Sequence, residues 1–227
     1  MDKYKEDFIK FLVKAEALKF GEFTLKSGRV APFFINTGLF SDGEKIAKLG
    51  EYYAQAIKSN FGEDFDTVYG PAYKGIPLCT TTAIALSKLG INRGYSFNRK
   101  KLKDYAMKDN IIGMKINEKS RLVLVDDVIT AGTSIRETLD FLKDYGSPKI
   151  RGIIVSVDRM EKGTGEKSAI KQVEEDLRIP INSIVNLKEI IEVLHNKEID
   201  GTIYIDDAML SKIKNYMSQY GSESWGE

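Results

Sequence analysis

From residue 66 onward the chain repeats one grammar: a short, nearly unbroken apolar run, a loop carrying glycine or acids, then a helical stretch. Thr67-Val68-Tyr69 leads into Gly70-Pro71-Ala72-Tyr73-Lys74-Gly75 and a helix to Leu89. Residues 94–97 form a second strand. Leu122-Val123-Leu124-Val125 is a third, followed by a loop and a helix to about Tyr145. Residues 150–157 make a fourth, and a helix over 168–177 precedes a last strand over 181–185. Strands that are apolar without alternation are buried on both faces, so the pattern predicts an α/β fold whose parallel sheet is covered by helices. Ligands in such sheets sit beyond the carboxyl ends of the strands. The loops after Tyr69, Phe97, Val125 and Val157 are therefore the places where chemistry is expected.

The residues before this core read differently. Phe8, Phe11, Leu12, Ala15 and Leu18 recur at helical spacing and predict a helix over 3–19, stopped by Gly21. Residues 22–25 and 30–36 read as two extended segments joined by a Lys26-Ser27-Gly28-Arg29 turn. Asp42 is placed to cap a second helix to about Asn60, with Ile46, Leu49, Tyr53 and Ile57 on its inner face. The tail after Gly221 is expected to fray. His195, the only histidine, reads as a surface residue near the end.

The loop after Val125 is the most informative. Asp126 and Asp127 are adjacent acids at a strand end, and like charges this close disfavour joint ionisation. A cation or the hydroxyls of a sugar would relieve that cost. Val128 and Ile129 lead into Thr130-Ala131-Gly132-Thr133, whose hydroxyls and glycine allow backbone N–H groups to close around an anion. Ser134 and Glu137 have capping-box spacing, so a helix start adds its positive end to the same place. Acids for a diol and a metal, then a cradle for phosphate, suit a ribose 5-phosphate; a solvated turn before a capped helix is the plainer alternative. Neither GxxxxGK[ST] nor GxGxxG occurs. Lys and Arg total 34 against 33 Asp and Glu, a net charge of +1, so an anion site has to be made locally rather than by a global field. Cys79, the one cysteine, rules out an internal disulfide and reads as a core residue.

The segment from Val123 to Thr133 resembles the binding signature of the type I phosphoribosyltransferases. Four further segments resemble the orotate phosphoribosyltransferase family, in that family's order: residues 20–29 (Phe-Gly-Glu-Phe-Thr-Leu-Lys-Ser-Gly-Arg), 32–36 (Pro-Phe-Phe-Ile-Asn), 70–77 (Gly-Pro-Ala-Tyr-Lys-Gly-Ile-Pro) and Asp158-Arg159. The resemblance runs from about residue 3 to residue 195. It implies that Asp126 and Asp127 contact the ribose hydroxyls of phosphoribosyl pyrophosphate, that Thr130 to Ser134 bind its 5-phosphate, and that Val128 and Ile129 also contact the sugar phosphate. Tyr73 and Lys74 fall in the pyrophosphate loop, and Lys26 reaches the pyrophosphate and ribose. Phe34 and Ile35 line the base site, and Thr130 and Arg159 face orotate. A guanidinium suits the orotate carboxylate, being planar and bidentate; an ion pair with Asp158 or Glu161 is the alternative for Arg159. Adjacent strand residues point to opposite faces, so one of Phe33 and Phe34 is expected in the core. For Lys26 an exposed hairpin turn is the alternative.

Residues 98–105 form a basic run, Asn-Arg-Lys-Lys-Leu-Lys-Asp-Tyr, which alone reads as a solvated face. The family has its substrate-covering loop here, and Arg99, Lys100, Lys103 and Asp104 match it. Arg99, Lys103 and Lys26 are the implied catalytic cations. Tyr105 stands where the family usually has histidine, and residues 106–109 lack its acidic, glycine-rich stretch. A tyrosine donates a hydrogen bond but carries no positive charge.

The resemblance further implies a type I phosphoribosyltransferase-like α/β fold, a parallel sheet flanked by helices, with a small hood built from N-terminal segments alone or with C-terminal segments added. It implies one domain over 1–227: hood and base segment to about 40, core over about 65–185, and C-terminal helices over 186–220. Mg²⁺ is implied, held mainly by substrate and water near Asp126 and Asp127, as is a homodimer with shared sites. The expected reaction gives orotidine 5′-monophosphate and pyrophosphate, a step toward UMP. A phosphoribosyltransferase for another base, or a non-catalytic regulator binding the same sugar phosphate, is the alternative. The charged segment Met1 to Asp7 lacks a signal-peptide core, and no stretch nears the ~20 apolar residues of a membrane span, so a cytoplasmic location is expected, with no nucleic acid partner.

Overall fold

The structure, a computed structural model, describes residues 1–25, 28–100, 110–129, 132–163 and 165–226. Helix α1 (Lys3–Lys14) buries Phe8, Ile9, Leu12 and Val13. It stops earlier than the spacing predicts. Glu16 turns into the left-handed region at φ 56°, and Leu18 joins a strand instead of a fifth helical turn. Strand β1 (Leu18–Thr24) pairs antiparallel with β2 (Val30–Ile35), Leu18 facing Ile35. Cross-strand pairing and burial of Leu18 outweigh the helical periodicity that Leu18 fits. Helix α2 (Gly43–Phe61) begins as expected, the Asp42 carboxylate accepting the Lys45 N–H. Leu49, Tyr53 and Ile57 are buried on its inner face, whereas Ile46 is only partly so.

The central sheet combines β3 (Thr67–Tyr69), β4 (Gly94–Asn98), β5 (Ile111–Gly113), β6 (Arg121–Val125), β7 (Lys149–Asp158) and β8 (Ile181–Asn186), in the order β5-β4-β3-β6-β7-β8. All neighbours are parallel except β5, which runs antiparallel to β4 at the edge and was not legible in the sequence. Helices α3 (Gly75–Lys88), α4 (Thr133–Lys143), α5 (Ala169–Leu177) and α6 (Leu187–Leu194) follow the strands.

The continuous apolar runs have a direct cause. In β6, Val123 and Val125 pack into one core and Leu122 and Leu124 into the other. Val68 against Tyr69, and Ile154 against Ile153, divide in the same way. Strand side chains alternate between faces, and both faces here are covered. Among the described residues no helix is long and apolar enough to cross a membrane.

A short hairpin, β9 (Glu198–Ile199) with β10 (Thr202–Ile203), leads to α7 (Asp207–Tyr220) and α8 (Glu223–Gly226). Helix α7 covers the β1–β2 hairpin: Tyr216 meets Phe33 edge-on at 6.1 Å, and the Arg29 guanidinium lies 4.9 Å from the Tyr220 ring centre. The tail does not fray as expected. Ser222 is buried, and its N–H and hydroxyl both donate to the Met160 carbonyl. His195 ends α6 and meets the Asp207 carboxylate at 2.8 Å.

Candidate active site

The strand order reverses between β3 and β6. From β3 the chain moves outward to β4, then returns to the other side of β3 as β6. The loops leaving the carboxyl ends of these two strands diverge there and open a crevice. Tyr69 and Leu124, which lie side by side, bring residues 70–75 and 126–129 to one edge of the sheet.

The loop after β3 is closed tightly. The Gly75 N–H donates to the Pro71 carbonyl, and the Ala72 N–H to the Asn98 side chain. Its first and last residues are glycines because the two backbones touch there: a Cβ on Gly70 would lie 2.0 Å from the Gly75 carbonyl oxygen. That closure sets Lys74 across the crevice, where its ammonium meets Asp127 Oδ2 at 2.5 Å. Tyr73 is 68 % exposed, and the Lys100 ammonium lies 5.9 Å from its ring centre, so two residues far apart in sequence share the crevice wall.

The acid loop is held from below. The Tyr53 hydroxyl, wholly buried on α2, donates to the Asp126 carbonyl at 2.7 Å. The Ser156 hydroxyl and N–H, from β7, both donate to the Asp127 carbonyl. Above this floor the two carboxylates differ. Asp126 Oδ1 accepts the Asp127 N–H, and Oδ2 accepts the Ser134 hydroxyl at 3.1 Å. Burial, reinforced by the neighbouring Asp127 charge, pushes the Asp126 carboxyl up to about 6. Burial acts on Asp127 as well, but the Lys74 ammonium, the Val128 N–H and the Thr37 hydroxyl outweigh it and hold that carboxyl below the usual range.

Ser134 is thus not the helix cap that its spacing with Glu137 suggested. Helix α4 starts two residues earlier than that cap would place it, at Thr133, with Gly132 as its left-handed N-cap at φ 71° and no side-chain cap. The Ser134 hydroxyl, inside the first turn of the helix, donates instead to the Asp126 carboxylate. A Cβ on Gly132 would lie 2.6 Å from Val173 Cγ2, so the residue needs both its conformation and its small size. The first N–H groups of α4 and its positive end lie beside the acids and are able to receive an anion. Ile129 is partly buried against the second core. Lys26, Thr130, Ala131 and the segment 101–109, with Lys103, Asp104 and Tyr105, lie outside the described residues.

The base-site candidates occupy the β1–β2 hairpin and the end of β7. Phe33 is fully buried and Phe34 is 37 % exposed, as strand alternation requires. Phe34 stacks on Phe23 at 5.5 Å, and Ile35 is half-buried against the core. The Arg159 guanidinium lies 4.3 Å from the Phe33 ring centre and pairs with Glu161 rather than Asp158. The Arg99 N–H donates to the Asn110 carbonyl where β4 ends. Sequence reasoning missed the roles of Thr37, Tyr53, Ser156 and Tyr216, and named Glu161 as an ion-pair partner for Arg159 without a place in the site. Only Ser156, a hydroxyl inside an apolar strand, carried a signal that could have been read.

Known proteins share this sequence and fold. Residues 39–186 match the phosphoribosyl transferase domain family. An orotate phosphoribosyltransferase of Clostridium acetobutylicum is 47 % identical over 222 residues, covering 97 % of this chain and 99 % of its own length. The crystal structure of an orotate phosphoribosyltransferase from Francisella tularensis superimposes with a TM-score of 0.82 at 38 % identity, over 95 % of this chain and all of that one. At the level of fold alone, a Mycobacterium tuberculosis orotate phosphoribosyltransferase in complex with 5-phospho-α-D-ribosyl 1-diphosphate matches with a TM-score of 0.60, at 18 % identity over 82 % of this chain and 98 % of that one. The chain belongs to the phosphoribosyl transferase family and, within it, to the orotate phosphoribosyltransferases.

Proposed function

We propose that the crevice between Lys74 and Asp127 binds phosphoribosyl pyrophosphate and passes its ribosyl 5-phosphate to a ring nitrogen of orotate, releasing pyrophosphate and giving orotidine 5′-monophosphate. The observation that carries this reading is the 2.5 Å contact between Lys74 and Asp127 across the switch point, beside the N-terminus of α4. A cation, an acid pair and an anion cradle stand in the sequence that pyrophosphate, ribose diol and 5-phosphate would occupy. Asp126 and Asp127 accept the ribose hydroxyls, and Gly132, Thr133 and Ser134 take the phosphate through N–H and hydroxyl donors. Lys74 leaves Asp127 for the pyrophosphate, joined by Lys26, Arg99, Lys100 and Lys103, while Tyr73 and Tyr105 offer hydrogen bonds. Phe34, Ile35, Thr130 and Arg159 hold orotate. Bond breaking at the anomeric carbon places negative charge on the leaving group, and fixed cations lower the barrier by stabilising it.

The donor set suits magnesium. The two aspartates offer hard oxygens, of the kind that suits an ion held mainly by substrate oxygens and water. When bound, magnesium supplies Lewis-acid stabilisation of the pyrophosphate oxygens. The same reading makes the protein a cytoplasmic homodimer, and sedimentation would test the association.

The test is to follow loss of orotate absorbance with phosphoribosyl pyrophosphate and Mg²⁺, with uracil, hypoxanthine and adenine in parallel. Magnesium-dependent consumption of orotate alone is the expected result; consumption of another base, or none, would overturn it.

Sugar-phosphate binding should also depend on pH through Asp126. Between the ordinary carboxyl value of 3.8 and about 6, the folded chain keeps a proton that the unfolded chain has lost. Asp126 therefore favours the folded state below this window, and that contribution is lost as pH rises through it. A diol and a cation prefer the ionised form, so binding expels the proton. Affinity for phosphoribosyl pyrophosphate with Mg²⁺ should fall by up to about tenfold per pH unit below pH ~6. Calorimetry at several pH values, on the parent and Asp126→Asn, separates this from titration of the ligand's own phosphate. Identical pH profiles for the two proteins would remove Asp126 from the linkage.

A further inference from the structure

We propose that Glu161 and Tyr216 are positioning residues, which hold Arg159 in the orientation that meets the carboxylate of the base. The inference rests on the reading of Arg159 as an orotate-binding residue. Glu161 Oε1 accepts from both Nε and Nη2 of Arg159, and from the Tyr216 hydroxyl at 3.1 Å. The guanidinium carbon meanwhile lies over the Phe33 ring, 4.3 Å from its centre. A guanidinium has five N–H donors in a rigid fork, so fixing one edge and one face leaves its remaining edge aimed in a single direction.

The loop that carries this pair is itself tied down by the C-terminal segment. The Lys162 N–H donates to the Tyr220 carbonyl at 2.8 Å, and Ser222 caps the Met160 carbonyl through its N–H and its hydroxyl. On the other flank, the Asp158 carboxylate accepts the Met160 N–H at 2.7 Å. Helix α7 thus reaches the base site without touching the base.

A plain stabilising ion pair is the rival account. The side chains of Arg159 and Glu161 are only 18 % and 16 % exposed, and pairs so far removed from water contribute little net stability, because desolvation offsets their attraction. What such a pair does provide is a fixed geometry, and here that geometry belongs to a residue that must meet a planar anion.

Steady-state kinetics on the full chain separates the two accounts. Tyr216→Phe keeps the ring packed on Phe33 and removes only the hydroxyl. It should raise the orotate KM about fivefold, and Glu161→Gln about tenfold or more, as expected for hydrogen bonds to charged groups. The KM for phosphoribosyl pyrophosphate and kcat should change much less. Arg159→Ala should raise the orotate KM further, and adding Tyr216→Phe to it should have no additional effect. A purely structural role would instead lower melting temperature and kcat with the orotate KM unmoved, and that pattern would overturn the proposal. So would a lower orotate KM in Glu161→Gln, because it would mean that Glu161 only opposes the incoming carboxylate. If Arg159→Ala itself left the orotate KM unchanged, the base-site reading of Arg159 would fall, and the positioning role with it.

Discussion

Asp127→Asn is expected to lower kcat/KM for phosphoribosyl pyrophosphate on the order of a hundredfold or more, the loss of two charge-assisted hydrogen bonds at about 1.5–3 kcal/mol each. The substitution keeps the side chain's shape but removes the charge that Lys74 faces at 2.5 Å. It also creates a donor conflict. Asp127 Oδ1 accepts the Val128 N–H, while Oδ2 accepts from Lys74 and from the Thr37 hydroxyl. Whichever way the amide turns, its NH₂ group meets another donor. Calorimetry of the sugar phosphate at fixed Mg²⁺, alongside kinetics, checks the prediction. Unchanged affinity would remove Asp127 from the ribose site.

The second large effect is expected at Gly70→Ala, through backbone rather than charge. The new Cβ would lie 2.0 Å from the Gly75 carbonyl oxygen and 2.5 Å from its carbon, and neither atom can move aside as a side chain would. Overpacking typically costs 1–3 kcal/mol, and a clash with backbone belongs at the upper end, so about 3 kcal/mol is expected. For a chain of this size that lowers the melting temperature by roughly 6–12 °C. Activity should fall further than stability, since the strained segment carries Lys74. Gly43→Ala is the control: it lies in the first turn of α2, where a Cβ meets nothing within 4 Å. Equal melting temperatures for the two variants would mean that the closed loop tolerates a side chain after all.

Much of this site could be read before the fold was known, for a physical reason. Burial on both faces leaves an unmistakable trace in Leu122–Val125, and the acids that follow must then lie at a strand end. Local spacing was less dependable where a stronger partner competed. Leu18 fits the helical period of α1 but pairs with Ile35, and Ser134 fits a capping box but bonds the Asp126 carboxylate. Thr37, Tyr53 and Tyr216 were invisible for another reason. Each acts on a group between about 55 and 90 positions away, so no local pattern records its role. Edge strand β5 is only three residues long and follows residues outside the described set, too short to leave a period.

The bonds beneath the acid pair have a consequence for how the site can move. The Asp126 N–H is held by the Ile154 carbonyl and the Ser156 N–H by the Asp127 carbonyl, while Tyr53 pins the same turn from the buried face of α2. Freeing these amides means separating β6 from β7 and exposing both cores, so their exchange with deuterated solvent should require global unfolding rather than a local opening. Any adjustment to a ligand of different length must then come from the loops around the aspartates, with the acid pair serving as the fixed point against which they close.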